Sequence, residues 1–428
     1  RNFMRYKAFI VSLFIISQGL AVDTEKDLQT QFILAEPGDT ITIPKGTHNI
    51  KGALSIEGKE NLVIRGSGMN RSILSFAGQT EGAQGISITN STNIILEDFS
   101  VHDTKGDAIK VQYTDGIIFR RVSAEWTGGP KETNGAYGLY PVESKDVYID
   151  GCIAIGASDA GIYVGQSKNI IVKNSQAMYN VAGIEIENSY YADVFNNKAQ
   201  HNTGGILVFD LPDLPQQGGH HVRVFNNEIT NNDTDNFAPE GNIVGEVPRG
   251  TGIIIQANSH VEIFENDIGG NDTVNIAIVT YGYETEDENY YPHPRAIQVH
   301  NNRFTKSGNN PDLETGELAK ILYELSDKNM PDIFWDGILP MKQIIFGQPN
   351  NEKLILGTDS NITITYDEAT NDALEIAANV EGAALPIVLK ADQGDDAGDE
   401  WKINIADGGT LTLGNDANSA GTYVTHFT

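Results

Sequence analysis

Glu185 and Glu187 stand two residues apart in the segment AGIEIE, and Asp210 ends the segment GGILVFD one repeat later. On an extended strand, side chains two residues apart point the same way, with about 6.6 Å between their backbones. Two carboxyl groups spaced like this can protonate a leaving oxygen and activate a water, and inverting glycoside hydrolysis asks for about 6.5–9.5 Å. Lys110 and Tyr140 take the matching outward position in earlier repeats, and His220 ends an inserted loop. Each could move a proton if its pKa were shifted. Tyr163, Phe209, Trp126 and Tyr281 supply ring faces of the kind that pack on sugars. The set predicts recognition, and processing, of a polysaccharide in a groove. As an enzyme the protein would be a polysaccharide lyase, a glycoside hydrolase or an epimerase. The competing readings are a non-catalytic surface or periplasmic scaffold that binds glycan or a protein partner, and a structural protein like a phage tail fibre.

These residues need a scaffold, and the scaffold is written as a repeat. Inward apolar residues recur at an anchor and at two, five and seven positions beyond it: Ile94, Leu96, Phe99, Val101; Ile117, Phe119, Val122, Ala124; Val147, Ile149, Cys152, Ala154. The same register runs on to Ile297, Val299, Asn302 and Phe304. Alternation within each half marks a strand with one buried face, and the break between halves is a bend. A third strand, usually led by glycine, precedes each anchor: Gly138-Leu139, Gly161-Ile162, Gly183-Ile184, Gly205-Ile206. Such a unit buries its inner face only by stacking on copies of itself. The fold expected is all-β, a right-handed parallel β-helix of about ten turns, with a short capping helix over Asp27–Leu34. Asn197, Asn227, Asn266 and Asn302 share one column and should hydrogen-bond along the axis. Extra residues at 127–136, 211–219, 231–250 and 281–294 flank the Gly-led strands. Long loops on a rigid scaffold wall binding sites. The outward face of those strands is therefore the expected groove floor, with Tyr163, Glu185 and Glu187 open to solvent.

Composition narrows the partners. The chain has 428 residues and a formal net charge of −29, which repels phosphate backbones and excludes nucleic acid. The same charge disfavours a polyanionic glycan and favours a neutral one. A single cysteine, Cys152, excludes an internal disulfide framework. The His residues show no metal-ligand spacing; His220 and His221 should point opposite ways on a strand. No metal and no cofactor is expected; the run Asp392–Glu400 offers carboxylates to calcium but lacks the spacing of a calcium loop.

Residues 1–21 read as a signal peptide: Arg5 and Lys7, an apolar run from Ala8 to Ile16, then Gly19-Leu20-Ala21 for cleavage. No lipid-attachment cysteine is present, so the mature chain is expected to be secreted or periplasmic with no membrane span. Residues 22–340 would form the β-helix, 341–350 a linker, and 351–428 an acidic β-rich unit. From residue 348 on, 14 Asp+Glu face 3 Lys, a charge shift that suggests a fused foreign piece.

The segments PGDTITIPKGTH and NLVIRGSGMN resemble the entry of the pectate-lyase-like superfamily of right-handed β-helices. YGLYPVES, GGILVFDLPDLP, GGHHVRVFNN and NFAPEGNIV resemble the exported parallel β-helix repeat family of Gram-negative bacteria, over roughly residues 25–340. That resemblance implies fold and export and brings no catalytic residue with it. Tyr137-Gly138-Leu139-Tyr140-Pro141 is similar to the Tyr-Gly-Phe-Asp-Pro-His motif of mannuronan C5-epimerases. Tyr140 and Val142 stand where that motif has its catalytic Asp and His. The tail, notably KADQGDDAGDEWKINIADGGTLTLG, resembles β-rich structural segments of marine bacteriophages.

Overall fold

The computed structural model describes residues 23–313, 317–326, 328–336 and 344–347, and beyond these the strands 353–356, 362–367, 373–378, 385–390, 400–405, 411–415 and 424–427. The signal-peptide reading of residues 1–21 and most of the Asp392–Glu400 run lie outside the described residues.

The chain is a right-handed parallel β-helix. Each turn contributes one strand to a Gly-led sheet and two short strands to a second, bent sheet; one turn runs Ala160–Gly165, then Lys168–Lys173, then Gln176–Met178. Stacking is in register: Val147 pairs with Ile170, Ile170 with Ala192, Ala192 with Val222, and Val222 with Val261. The alternating inward residues form one continuous core along the axis.

The bend between half-strands has a specific cause. Asp98, Arg121, Asn174, Asn196, Asn226 and Asn301, each just before the fifth-position column, have φ of 52–62°. Asn and Asp tolerate this left-handed conformation better than most residues, and Gly151 takes it before Cys152, with φ of 67°. Past the bend, the Asn197 backbone N–H donates to Asn227 Oδ1 at 2.9 Å, Asn227 to Asn266 at 3.0 Å, and Asn266 to Asn302 at 3.0 Å. This is the expected ladder.

A second ladder, Asn180–Asn202–Asn232–Asn271, runs at the next bend with N–H···Oδ1 distances of 3.0, 3.1 and 3.1 Å. It explains the leading glycines. A Cβ on Gly183 would lie 2.8 Å from Asn202 Nδ2 and 2.5 Å from the Gly205 carbonyl. Only glycine leaves room for the buried amides.

The open N-terminal end is covered by the helix Thr24–Leu34, which starts three residues before the expected one and buries Leu28 and Phe32. The other end departs from expectation. The supposed linker 341–350 contains a strand, Ile344–Gly347, that pairs in parallel with Arg295–His300. Lys353–Leu356 then pairs in parallel with Ile333–Trp335, so solenoid pairing continues past residue 350. Residues 362–367 and 373–378 extend that edge as antiparallel strands, and the strands 385–390, 400–405, 411–415 and 424–427 form a separate four-stranded antiparallel sheet. The charge shift near 348 is thus not a structural boundary: backbone pairing depends on strand edges, not on side-chain charge.

Among the described residues no helix is long and apolar enough to cross a membrane.

Candidate functional site

On the outer face of the Gly-led sheet, Tyr140 lies beside Lys110, Tyr163 beside Glu185, and Glu185 beside Leu207, one strand spacing apart. The next outward column runs Val142, Gly165, Glu187, Phe209. The strand register is the expected one: Ile184 faces the core and Glu185 faces out.

Gly165 shapes the site. A Cβ there would sit 2.1 Å from the Tyr163 hydroxyl. With none, the Tyr163 ring folds over Gly165 and donates to Glu187 Oε1 at 2.7 Å. Tyr137 and Tyr140 complete a wall, with ring centroids 4.3 Å from each other and 4.7 and 5.0 Å from Tyr163. Asp159 enters from the turn before its strand, within hydrogen-bonding reach of the Tyr137 hydroxyl, and accepts from Asn242 Nδ2 at 3.3 Å.

Three carboxyl groups therefore share one recess. Burial, reinforced by the neighbouring Glu187, pushes Asp159 up to about 7. Burial also pushes Glu187 up to about 7, against the hydrogen bonds it receives from Tyr163 and Glu185. Glu185 is held well above the usual carboxylate range by burial, then by Asp159 and Glu187, and its Oε2 has no hydrogen-bond partner among the described residues. Near neutral pH such a group holds its proton. Burial raises Tyr137, Tyr140 and Tyr163 as well, so their hydroxyls donate and do not act as bases.

The expected open floor is not observed. Glu185, Tyr163 and Glu187 are 1%, 4% and 7% exposed. They point outward, but the inserted loops cover them. Val244 and Val247 of the 231–250 insertion pack on Val142, Leu207, Phe209 and Ile254 in a second apolar cluster outside the solenoid. In the earlier turns Lys110, Tyr140 and Asp107 are half-buried, and Lys110 Nζ lies 5.3 Å from the Tyr140 ring centre.

The carboxyl geometry also differs. Glu185 and Glu187 are within hydrogen-bonding reach of each other, too close to flank a glycosidic bond from opposite sides. Asp210 is tied to its own loop, accepting from the backbone N–H groups of Gly218 and Gly219 at 3.2 and 2.7 Å.

The remaining candidates lie elsewhere. His220 starts a strand of the bent sheet, stacked on Tyr190 at 4.3 Å, outside the recess. His221 has φ of 57°, so the two imidazoles meet, Nδ1 to Nδ1, at 2.9 Å rather than pointing apart. Trp126 is no platform: it is buried in the solenoid core and donates from Nε1 to the Thr104 carbonyl at 2.8 Å. Phe209 is buried and lines a cavity of about 250 Å³ beneath Tyr283. Tyr281 is half-buried against Tyr283 and Tyr290.

Sequence reading missed Asp159 and met Tyr137 only inside a motif, not as a site residue. Both sit just before a Gly-led strand, at a turn where alternation no longer assigns a face. Among the described residues no group of three or more His, Cys, Asp or Glu is placed to hold a metal ion.

Residues 52–214 match the family described as "Right handed beta helix region". No curated protein matches the sequence. Among solved structures, the A-module of the Azotobacter vinelandii mannuronan C-5 epimerase AlgE4 is similar at 13% identity and a TM-score of 0.50, over 78% of this chain and 94% of that one. ORF18 of Geobacillus virus E2 is similar at 11% identity and a TM-score of 0.51, over 95% and 73%. The catalytic unit of a GH87 α-1,3-glucanase from Streptomyces thermodiastaticus reaches 14% identity and a TM-score of 0.47, over 79% and 53%. At these identities the likeness is one of fold.

Proposed function

We propose that this β-helix protein recognises a neutral glycan at the mouth formed by Lys110, Tyr140 and Asp107 and hydrolyses it with the carboxyl groups behind that mouth. The observation that carries the reading is the recess itself: three carboxyl groups, two of them held at about 7, against three tyrosine rings. Solved structures that share the fold include an enzyme named for a polysaccharide, which agrees with a carbohydrate ligand.

In this reading the Glu185–Glu187 pair acts as one unit that retains a proton near neutral pH. It delivers that proton to the glycosidic oxygen as the C–O bond breaks. Asp159, held by Tyr137, takes a proton from the water whose oxygen bonds to the anomeric carbon. General acid–base catalysis is most effective with pKa values near the working pH. Elimination or epimerisation of a uronate would call on the same base, since the tyrosines here remain protonated, and would bring a carboxylate to the recess. The acidic recess also repels a uronate carboxylate. Export to the periplasm or the exterior belongs to the same proposal and is supported by the basic start and apolar run of residues 5–16.

One observation favours a second reading, a binding protein without catalysis: Glu185 and Tyr163 are almost wholly covered. Incubation with neutral polysaccharides, followed by a reducing-end assay, separates the two. Hydrolysis predicts new reducing ends, lost in Asp159→Asn and Glu187→Gln. Binding that is weakened by Tyr140→Ala, with no product from any substrate, would establish the second reading instead.

A further inference from the structure

The bent sheet carries a larger concavity, about 780 Å³, on a face that shares no residue with the carboxyl recess. It spans six adjacent strands, from Lys145–Asp150 to Arg295–His300. Five strand spacings make it about 24 Å long, parallel to the solenoid axis. We propose that this face is a second binding site, for a neutral glycan chain lying along the axis.

The first argument is the row of rings. Tyr191, His221 and His260 are the second residues of three successive strands, in the left-handed conformation with φ of 59°, 57° and 52°. That conformation stands them in one file: Tyr191 and His221 centroids are 5.2 Å apart, and His221 and His260 stack at 4.8 Å with 3° between planes. Tyr191 is 55% exposed, so its ring is free to pack on a sugar.

The second argument is charge. The ionic groups beside the rings are closed on one another, and Asp146 at the far end accepts from Asn169 Nδ2 at 2.9 Å and lies 3.8 Å from Lys145 Nζ. Arg223 donates to both carboxylate oxygens of Asp193 at 2.7 Å, and Glu262 meets His300 at 3.0 Å. What remains on offer is ring surface and hydrogen-bonding edges, including the exposed Gln298 amide, which suits uncharged hydroxyl groups. A polyanion, or a second copy of a chain with net charge −29, would meet like-charge repulsion.

The ligand class is shared with the proposed function, but the site is separate and so is its readout. Full-length protein carrying ¹³C-labelled histidine is titrated with malto-, cello-, manno- and xylo-hexaose and with dextran. The expected result is saturable movement of the His221 and His260 signals with at least one probe. Tyr191→Ala/His260→Ala should weaken that probe's binding about tenfold, and Gln298→Trp, which fills the floor, should do the same. His221 and His260 signals unmoved by every probe, or affinity unchanged in both variants, overturns the proposal. So does concentration-dependent dimerisation in sedimentation that the double variant abolishes. Reducing-end release is followed in the same samples: its presence or absence bears on the carboxyl recess alone.

Discussion

Tyr163 and Glu187 lie on neighbouring strands, and the phenolic hydroxyl donates to Glu187 Oε1 at 2.7 Å across the bare backbone of Gly165. That bond stabilises the ionised form of a carboxyl group whose burial favours the neutral one. The balance leaves Glu187 at about 7. Two outward positions in adjacent turns thus make one acid whose proton is exchangeable near neutral pH.

Tyr163→Phe removes the donor and leaves the buried carboxyl with less support. The Glu187 titration midpoint should move up from about 7, read by carboxyl ¹³C NMR, and the alkaline limb of any hydrolytic activity should move with it. Loss of a hydrogen bond to a buried group costs about 1–3 kcal/mol, visible in urea unfolding. A midpoint that falls would mean that the bond favours the neutral carboxyl instead.

Asp159, Glu185 and Glu187 all titrate higher in the folded chain than in the unfolded one. Between their unfolded values near 4 and their folded values, the native state binds more protons. Stability from this cluster is therefore present at low pH and is lost as pH rises through about 7. The thermal midpoint of Glu187→Gln should fall less over that range than that of the wild type. Parallel profiles for the two proteins would show that Glu187 ionises normally.

Asn227 is a middle rung of the first ladder. Its Oδ1 accepts from the backbone and amide N–H groups of Asn197, and its Nδ2 donates to the Val194 carbonyl. Asn227→Ala leaves these buried groups without partners and should cost about 2–4 kcal/mol in denaturant unfolding, since each costs roughly 1–3 kcal/mol. Asn231→Ala, four residues on and outside both ladders, should cost less. Equal losses would remove the ladder as the explanation.

A chain ending at Pro340 lacks the strands Ile344–Gly347 and Lys353–Leu356, which cover the last edges of both sheets. Unpaired edges recruit other chains. Such a chain should unfold at lower temperature and associate, measured by calorimetry and light scattering, whereas one ending at Asp367 keeps both strands and should stay monomeric.

The inner face of the solenoid was readable from residue order alone. Ile184 inward and Glu185 outward follow from a period of two, a local property of any extended strand. The anchor columns, the Asn197–Asn302 ladder and the pairing of Tyr163 with Glu185 follow from the same count. What lies over the outward face is not a local property. Val244 and Val247 arrive on Phe209 and Leu207 from an insertion more than thirty residues further along, and no spacing rule places a loop. That cover turned an expected open floor into a recess, and burial there pushes three carboxyl groups up from their ordinary range. The bends, too, escaped alternation: Asp159 joined the site from the turn before its strand, and the left-handed His221 swung onto His220. Strand faces are set by neighbours in sequence; burial, and with it the chemistry of the carboxyl groups, is set by neighbours in space.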